Sequence, residues 1–170
     1  MSQIALVTGA NRGLGLGVVK KLLEDGHEVI LTSRDTSKGK EAVDNIKENH
    51  DKIHYHQLDV SSQESIDKCV HWVKEKFGQL GILINNAGIN YDTWQNATNA
   101  DLKESQKTMD VNFFGPWRVT QAFWDLLKKS EKGRVVNVSS GAGSLTREES
   151  GTPAYSTSKE ALNMLNIKQA

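Results

Sequence analysis

The sequence lacks the residues that staple or anchor a chain. Its 170 residues contain one cysteine, Cys69, which excludes an internal disulfide and any metal site built from cysteine alone, and suits a reducing compartment. No charge of one sign predominates, with 21 Lys and Arg against 21 Asp and Glu. That balance argues against a nucleic-acid or membrane-surface partner held by bulk electrostatics. No apolar run approaches the ~18 residues of a membrane span, and the amino terminus runs straight into Ile4-Ala5-Leu6-Val7, with no secretory signal. A cytoplasmic protein is expected. What is present is ordinary for a folded domain: 37% hydrophobic and 25% charged residues. A chain of this size buries roughly two-thirds of its unfolded surface, enough for a core of its own.

Short apolar runs alternate with amphipathic stretches. The runs Ile4–Val7, Glu28–Thr32, Ile53–Leu58, Ile82–Ile84 and Arg134–Val138 read as strands. Between them, Ile66, Cys69, Val70, Val73 and Phe77 fall on one helical face, and Val119, Ala122, Phe123, Leu126 and Leu127 on another. Glycines at 9, 26, 78, 88 and 133 mark the joins. Strands alternating with helices at this spacing imply a parallel sheet with helices on both faces, an α/β, Rossmann-type, doubly wound fold. No repeat or linker interrupts the pattern, so a single domain over residues 1–170 is expected.

The first strand ends in Thr8-Gly9-Ala10-Asn11-Arg12-Gly13-Leu14-Gly15 and leads into a helix with Leu16, Val19, Leu22 and Leu23 inward. Glycines at 9, 13 and 15 permit a tight turn and let a pyrophosphate approach the backbone. The helix N-terminus then offers N–H groups and a positive dipole end to that anion. A glycine-rich turn with no ligand is the alternative.

The spacing G-x-x-x-G-x-G, with the preceding Thr8, resembles the short-chain dehydrogenase/reductase family. So do Asn85-Asn86-Ala87-Gly88, Val136-Asn137-Val138-Ser139-Ser140 and Tyr155-Ser156-Thr157-Ser158-Lys159, together with Asp59-Val60 and Asn112, in the same order. Leu31-Thr32-Ser33-Arg34-Asp35 looks most like the carbonyl-reductase-like members. The resemblance implies a nicotinamide cofactor bound by Gly9, Asn11, Arg12, Gly13, Leu14, Gly15, Arg34, Asp59, Val60, Asn86, Ala87, Gly88, Tyr155 and Lys159. It further implies that Asp59 bonds the adenine amino group and that Asn86 to Gly88 line the adenosine side. Taken alone, Asp59 reads as a turn acid, and Asn85 reads equally well as a tie between strands.

Asp35 lies 20 residues beyond Gly15, where an NAD site places its ribose-binding acid. A strand end near Thr32–Ser33 instead sets uncharged Ser33 at the ribose and Asp35 beyond it. Arg12 and Arg34 then converge on a 2′-phosphate through charge-assisted hydrogen bonds. NADP(H) is the expected cofactor, with two solvated surface arginines as the alternative.

Tyr155 and Lys159 are four residues apart and share a helix face. An ammonium beside a phenol favours the phenolate and suits it to exchange a proton with a carbonyl or alcohol oxygen. The resemblance makes Tyr155 the acid/base. It has Lys159 hold the nicotinamide ribose, Ser140 stabilise the substrate oxygen, and Asn112 anchor a water behind the lysine. Strand alternation sends Ser139 and Ser140 to opposite faces, and the family pattern selects Ser140. Ser140 and Tyr155 are fifteen apart against the family's thirteen, which suggests a loop enlarged within Leu145–Pro153 beside the substrate.

Other residues receive plainer readings. His54 and His56 share one side of a strand with no third ligand, so no metal site is expected; Cys69 is packing. Tyr91 and Trp94 are candidates for an aromatic pocket wall, and Gly81, where the family commonly has Asp, is expected to soften a turn. The family pattern continues with two more strands and a Pro-Gly segment that touches the nicotinamide, whereas this chain stops within the helix opened by Tyr155. The chain is therefore expected to lack the last strands, leaving Arg134–Val138 as an open edge. Two functions follow: an NADPH-dependent reductase of small carbonyl or alcohol substrates, with a homo-oligomer as its candidate assembly, or an inactive remnant that binds nucleotide or a partner.

Overall fold

The computed structural model of the chain describes residues 2–46, 50–90, 92–146 and 151–169. Its strands are β1 (Ile4–Val7), β2 (Glu28–Ser33), β3 (Ile53–Gln57), β4 (Ile82–Asn85) and β5 (Arg134–Asn137). Its helices are α1 (Gly13–Glu24), α2 (Thr36–Asp44), α3 (Gln63–Phe77), α4 (Leu102–Met109), α5 (Gly115–Lys128) and α6 (Pro153–Gln169). All strand pairs are parallel, in the order β3-β2-β1-β4-β5. The chain starts at the centre, winds outward through β2 and β3, then returns to the other side of β1. That reversal sets the carboxyl ends of β1 and β4 side by side, the place where a doubly wound sheet opens a crevice.

Alternation along the strands builds two cores. Leu6 stands level with Ile30 and Leu83, and this face packs against Ile66, Cys69 and Val73 of α3 and Val119, Phe123 and Leu126 of α5. The opposite face, with Ala5, Val7, Val29, Leu31, Ile82 and Ile84, packs against Val19 and Leu23 of α1 and Ala42 of α2. Each helix side chain named here is buried, so both predicted helical stripes bury their central residues. Local signals end the elements: Ser62 accepts the N–H of Ser65 to cap α3, and Gly78 closes it at φ 74.

The strands lie where periodicity placed them, with ends moved by a residue: β2 gains Ser33, β4 gains Asn85, and Leu58 and Val138 fall just outside. Between α4 and α5, residues Asp110–Phe114 form a π-helical turn, closed by the N–H of Gly115 on the carbonyl of Asp110. Pro116 supplies the cause: it has no N–H to give the carbonyl of Asn112 four residues earlier, so the α-helical ladder cannot run through. Among the described residues β5 pairs only with β4, and Val136 on it is 46% exposed.

Candidate active site

The carboxyl ends of the strands surround one cleft of about 440 Å³. Its wall contains Gly9, Asn11, Arg12, Gly13, Leu14 and Gly15 from the turn between β1 and α1, and Arg34 after β2. Asp59 and Val60 follow β3, and Asn86, Ala87 and Gly88 follow β4. Leu58, Ile89 and Val111 complete it, three residues that no motif flagged. A larger hollow of about 600 Å³ lies at the opposite end of the sheet around His27, Lys129, Lys132 and Arg134, and holds none of the predicted site residues.

The turn is locked to β4 by close backbone approach. Gly9 sits at φ +62, and a β-carbon there would stand 2.8 Å from the Cα of Ala87. At Gly15 it would run into the Asn86 amide. Thr8 Oγ1 receives the N–H of Asn86 and of Ala87, each at 3.0 Å. Asn86 Nδ2 answers by donating to the carbonyls of Thr8 and Gly9, at 2.9 and 3.1 Å. The side chain of Asn86 therefore holds the glycine turn in place. Thr8 does as much, although the sequence reading gave it no role.

The residues present fit a phosphate-bearing ligand. No side chain caps α1, and its first turn carries no acid, so N–H groups and the positive dipole end are left for an anion. A β-carbon on Gly13, at φ +57, would meet nothing within 4 Å. Arg12 and Arg34 are both exposed at the rim, and among the described residues neither has a carboxylate partner. Asp35 caps α2 by accepting the N–H of Lys38 at 3.1 Å, and it is not among the residues that line the cleft. The placement of Ser33 at the ribose is corrected: it is buried, and its hydroxyl donates to the carbonyl of Asp35 at 2.6 Å beside the Tyr55 hydroxyl. One residue of strand beyond Thr32 turned that side chain inward. Asp59 takes the N–H and hydroxyl of Ser61, at 3.0 and 2.6 Å, as a turn acid that also lines the cleft.

Beside the cleft, α6 presents Tyr155 and Lys159. Lys159 is only 4% exposed, and its Nζ donates to the carbonyl of Val138 at 2.8 Å. Burial holds its ammonium below the ordinary lysine pKa. The Nζ stands 5.7 Å from the centre of the Tyr155 ring. A β-carbon on Gly88 would lie 3.7 Å from this Nζ and 3.5 Å from Asn112 Oδ1, so the helix abuts the cleft wall directly. Asn112 is fully buried in the π-helical turn. Its Nδ2 donates to the carbonyl of Ile89 and to Ser158 Oγ, at 3.0 and 3.1 Å, and its Oδ1 accepts the N–H of Ile89 at 2.9 Å.

The two serines after β5 separate by partner. Ser139 Oγ donates to the carbonyl of Lys159 at 3.4 Å. Ser140 Oγ accepts the N–H of Ala142 at 3.2 Å, opening a 3-10 turn over Gly141–Gly143, and that bond leaves its hydroxyl proton unused. The turn is pressed onto α6: Asn163 Nδ2 donates to the Gly143 carbonyl at 2.9 Å, and a β-carbon on Gly143 would stand 2.8 Å from Lys159 Cβ. Asp92, fully buried, was missed altogether. Its carboxylate oxygens accept the N–H of Ala154 and of Tyr155, each at 3.1 Å.

The remaining readings resolve as follows. Asn85 donates to Thr120 and Asn137, tying β4 to α5 and β5. Cys69 is buried in the core, which pushes its thiol pKa up to about 12. His54 bonds Glu28 and Lys76, and both strand histidines stack near Trp72. Gly81 is buried at a bend just before β4, under Gln3, whose Cβ would stand 2.9 Å from a β-carbon there, so packing also requires a small residue. Trp94 is 70% exposed and off the cleft wall; Tyr91 and residues 147–150 of the enlarged loop lie outside the described residues.

A parallel doubly wound sheet whose cleft wall faces the Tyr155–Lys159 helix at Gly88 defines the class, and the comparison agrees. The short chain dehydrogenase family model matches residues 3–169, and the chain belongs to that family. It is 38% identical over 161 residues to (+)-neomenthol dehydrogenase of Arabidopsis thaliana, covering 83% of this chain and 54% of that protein. It is also 38% identical over 138 residues to carbonyl reductase (NADPH) 1 of Bos taurus, covering 81% and 48%. The NADPH-bound carbonyl reductase from chicken fatty liver superposes with a TM-score of 0.89 at 33% identity, over 99% of this chain and 73% of that one. The chain spans about half the length of the curated relatives it matches.

Proposed function

We propose that the chain is the cofactor-binding and proton-transferring part, one domain over residues 1–170, of an NADP(H)-dependent oxidoreductase that interconverts small carbonyl compounds and secondary alcohols in the cytoplasm. The observation that carries this reading is the junction at Gly88, where a β-carbon on the wall of the phosphate-fitting cleft would lie 3.7 Å from Lys159 Nζ, one helical turn from Tyr155. A bound nicotinamide supplies the hydride. Arg12 and Arg34 pair with a 2′-phosphate and set the preference for NADPH over NADH; the names of the bovine and chicken relatives support that preference.

Tyr155 gives its phenolic proton to the substrate oxygen as charge develops there, or takes it back in the reverse direction. Lys159 keeps positive charge beside the phenol, and its remaining N–H groups hold the ribose hydroxyls. Ser140 donates its unused hydroxyl proton to the same substrate oxygen. Asn112 anchors the relay water through the carbonyl that Pro116 leaves without its helical donor. Exposed Phe114 just before α5, Trp117 and Trp124 on α5, and Met164 and Ile167 on α6 supply the face for a homo-oligomer.

Steady-state oxidation of NADPH and of NADH with a panel of aldehydes, ketones and quinones tests the reading. Turnover is expected with NADPH ahead of NADH. NADPH binding without turnover on any substrate overturns the reductase assignment in favour of a nucleotide-binding remnant, and a preference for NADH overturns the two-arginine assignment.

A further inference from the structure

The first turn of a helix leaves backbone N–H groups without helical acceptors, and those of α6 go to one unexpected place. Pro153 has no N–H to satisfy, and Ser156 donates to the carbonyl of Thr152 at 2.8 Å. The two donors between them, Ala154 and Tyr155, both point at the carboxylate of Asp92, 62 and 63 residues earlier, at 3.1 Å each. Thr152, the residue a local cap would use, sits at φ 50 with its hydroxyl turned to Ser156 at 2.8 Å. The helix that carries Tyr155 is thus capped from a distant segment.

That segment leaves the cleft wall only three residues before, at Ile89. Ile89 is held on both its N–H and its carbonyl by Asn112. Asn90 turns the chain at φ 63 and donates to Thr108 Oγ1 at 3.0 Å. Asp92 follows, 0% exposed. A carboxylate there also complements the positive end of a 17-residue helix.

We propose that Asp92 is a positioning residue: its buried carboxylate clamps the first turn of α6 to the strand-end segment of the cleft wall and so fixes Tyr155 relative to bound cofactor and substrate. The proposal rests on the reductase reading for its kinetic consequence and on geometry alone for the clamp. Asp92→Asn keeps the shape but offers an N–H₂ to one of the two donors, leaving it unpaired.

Three readouts on the full chain test it. In the wild type, the amides of Ala154 and Tyr155 are expected to be protected from hydrogen exchange, although first-turn amides ordinarily are not. Exchange there at the free-chain rate overturns the clamp without any variant. In Asp92→Asn, those amides are expected to exchange about 10-fold faster. The Tyr155 phenol titration, read as the difference spectrum against Tyr155→Phe, is expected to move. Where the wild type turns over, kcat is expected to fall about 10- to 100-fold, with KM and NADPH affinity within about 2-fold of wild type. Faster exchange with an unmoved phenol titration and unchanged kcat makes Asp92 a stabilising cap only and overturns the positioning role. A wild type without turnover sinks the reductase reading alone, because exchange and phenol titration still decide the clamp.

Discussion

Lys159 carries a positive charge into a place where burial opposes it, and that opposition has a readable sign. Its pKa in the folded chain lies below the ordinary 10.5, so between those two values the unfolded state binds more protons. Stability therefore rises with pH through that window and is penalised below it. Lys159→Met removes the group from both states. Urea unfolding of both proteins at neutral and at alkaline pH is expected to show the wild type gaining on the variant as pH rises. A difference that stays constant with pH would mean the ammonium is not held down by burial.

At the scale of elements, the junction between β1 and β4 organises the site. Thr8 Oγ1 accepts the backbone N–H of both Asn86 and Ala87. Thr8→Val keeps the shape and removes the acceptor, so the part-buried N–H of Ala87 loses its partner, at the lower end of about 1–3 kcal/mol. Thermal or urea unfolding is expected to show that loss together with weaker NADPH binding. Unchanged stability would mean that the glycine turn is not held by this hydroxyl.

The elements also show what could be read from residues alone. The five strands and both buried helical stripes were legible because hydrophobic period is local, and the twelve cleft-lining residues were named through the resemblance that the ordered motifs carry. Three features were not. The inward turn of Ser33 depended on one further residue of β2. The π-helical turn at Asn112 followed from Pro116, a signal present in the sequence but unused. Asp92 meets Ala154 and Tyr155 only through the tertiary path, and a local threonine before Pro153 masked the need for a distant cap.

For the whole molecule, the sheet ends on β5 with Val136 exposed and no further strand among the described residues. An open apolar edge is a template for pairing. Light scattering across a concentration series is expected to show association of the 170-residue chain, and Val136→Lys to reduce it. Association unchanged by that charge would assign it to another surface, the aromatic face of α5 first.

The central claim is that the cleft and the Tyr155 helix act together as one reductase site, and one comparison reaches it most directly. NADPH-dependent reduction of the best carbonyl substrate is measured for the chain and for Tyr155→Phe, with NADPH binding followed in parallel. The account predicts NADPH affinity within about 2-fold in both, and kcat/KM lower in Tyr155→Phe by at least ~10²-fold, the usual contribution of a positioned acid. Equal turnover by the two proteins would contradict it.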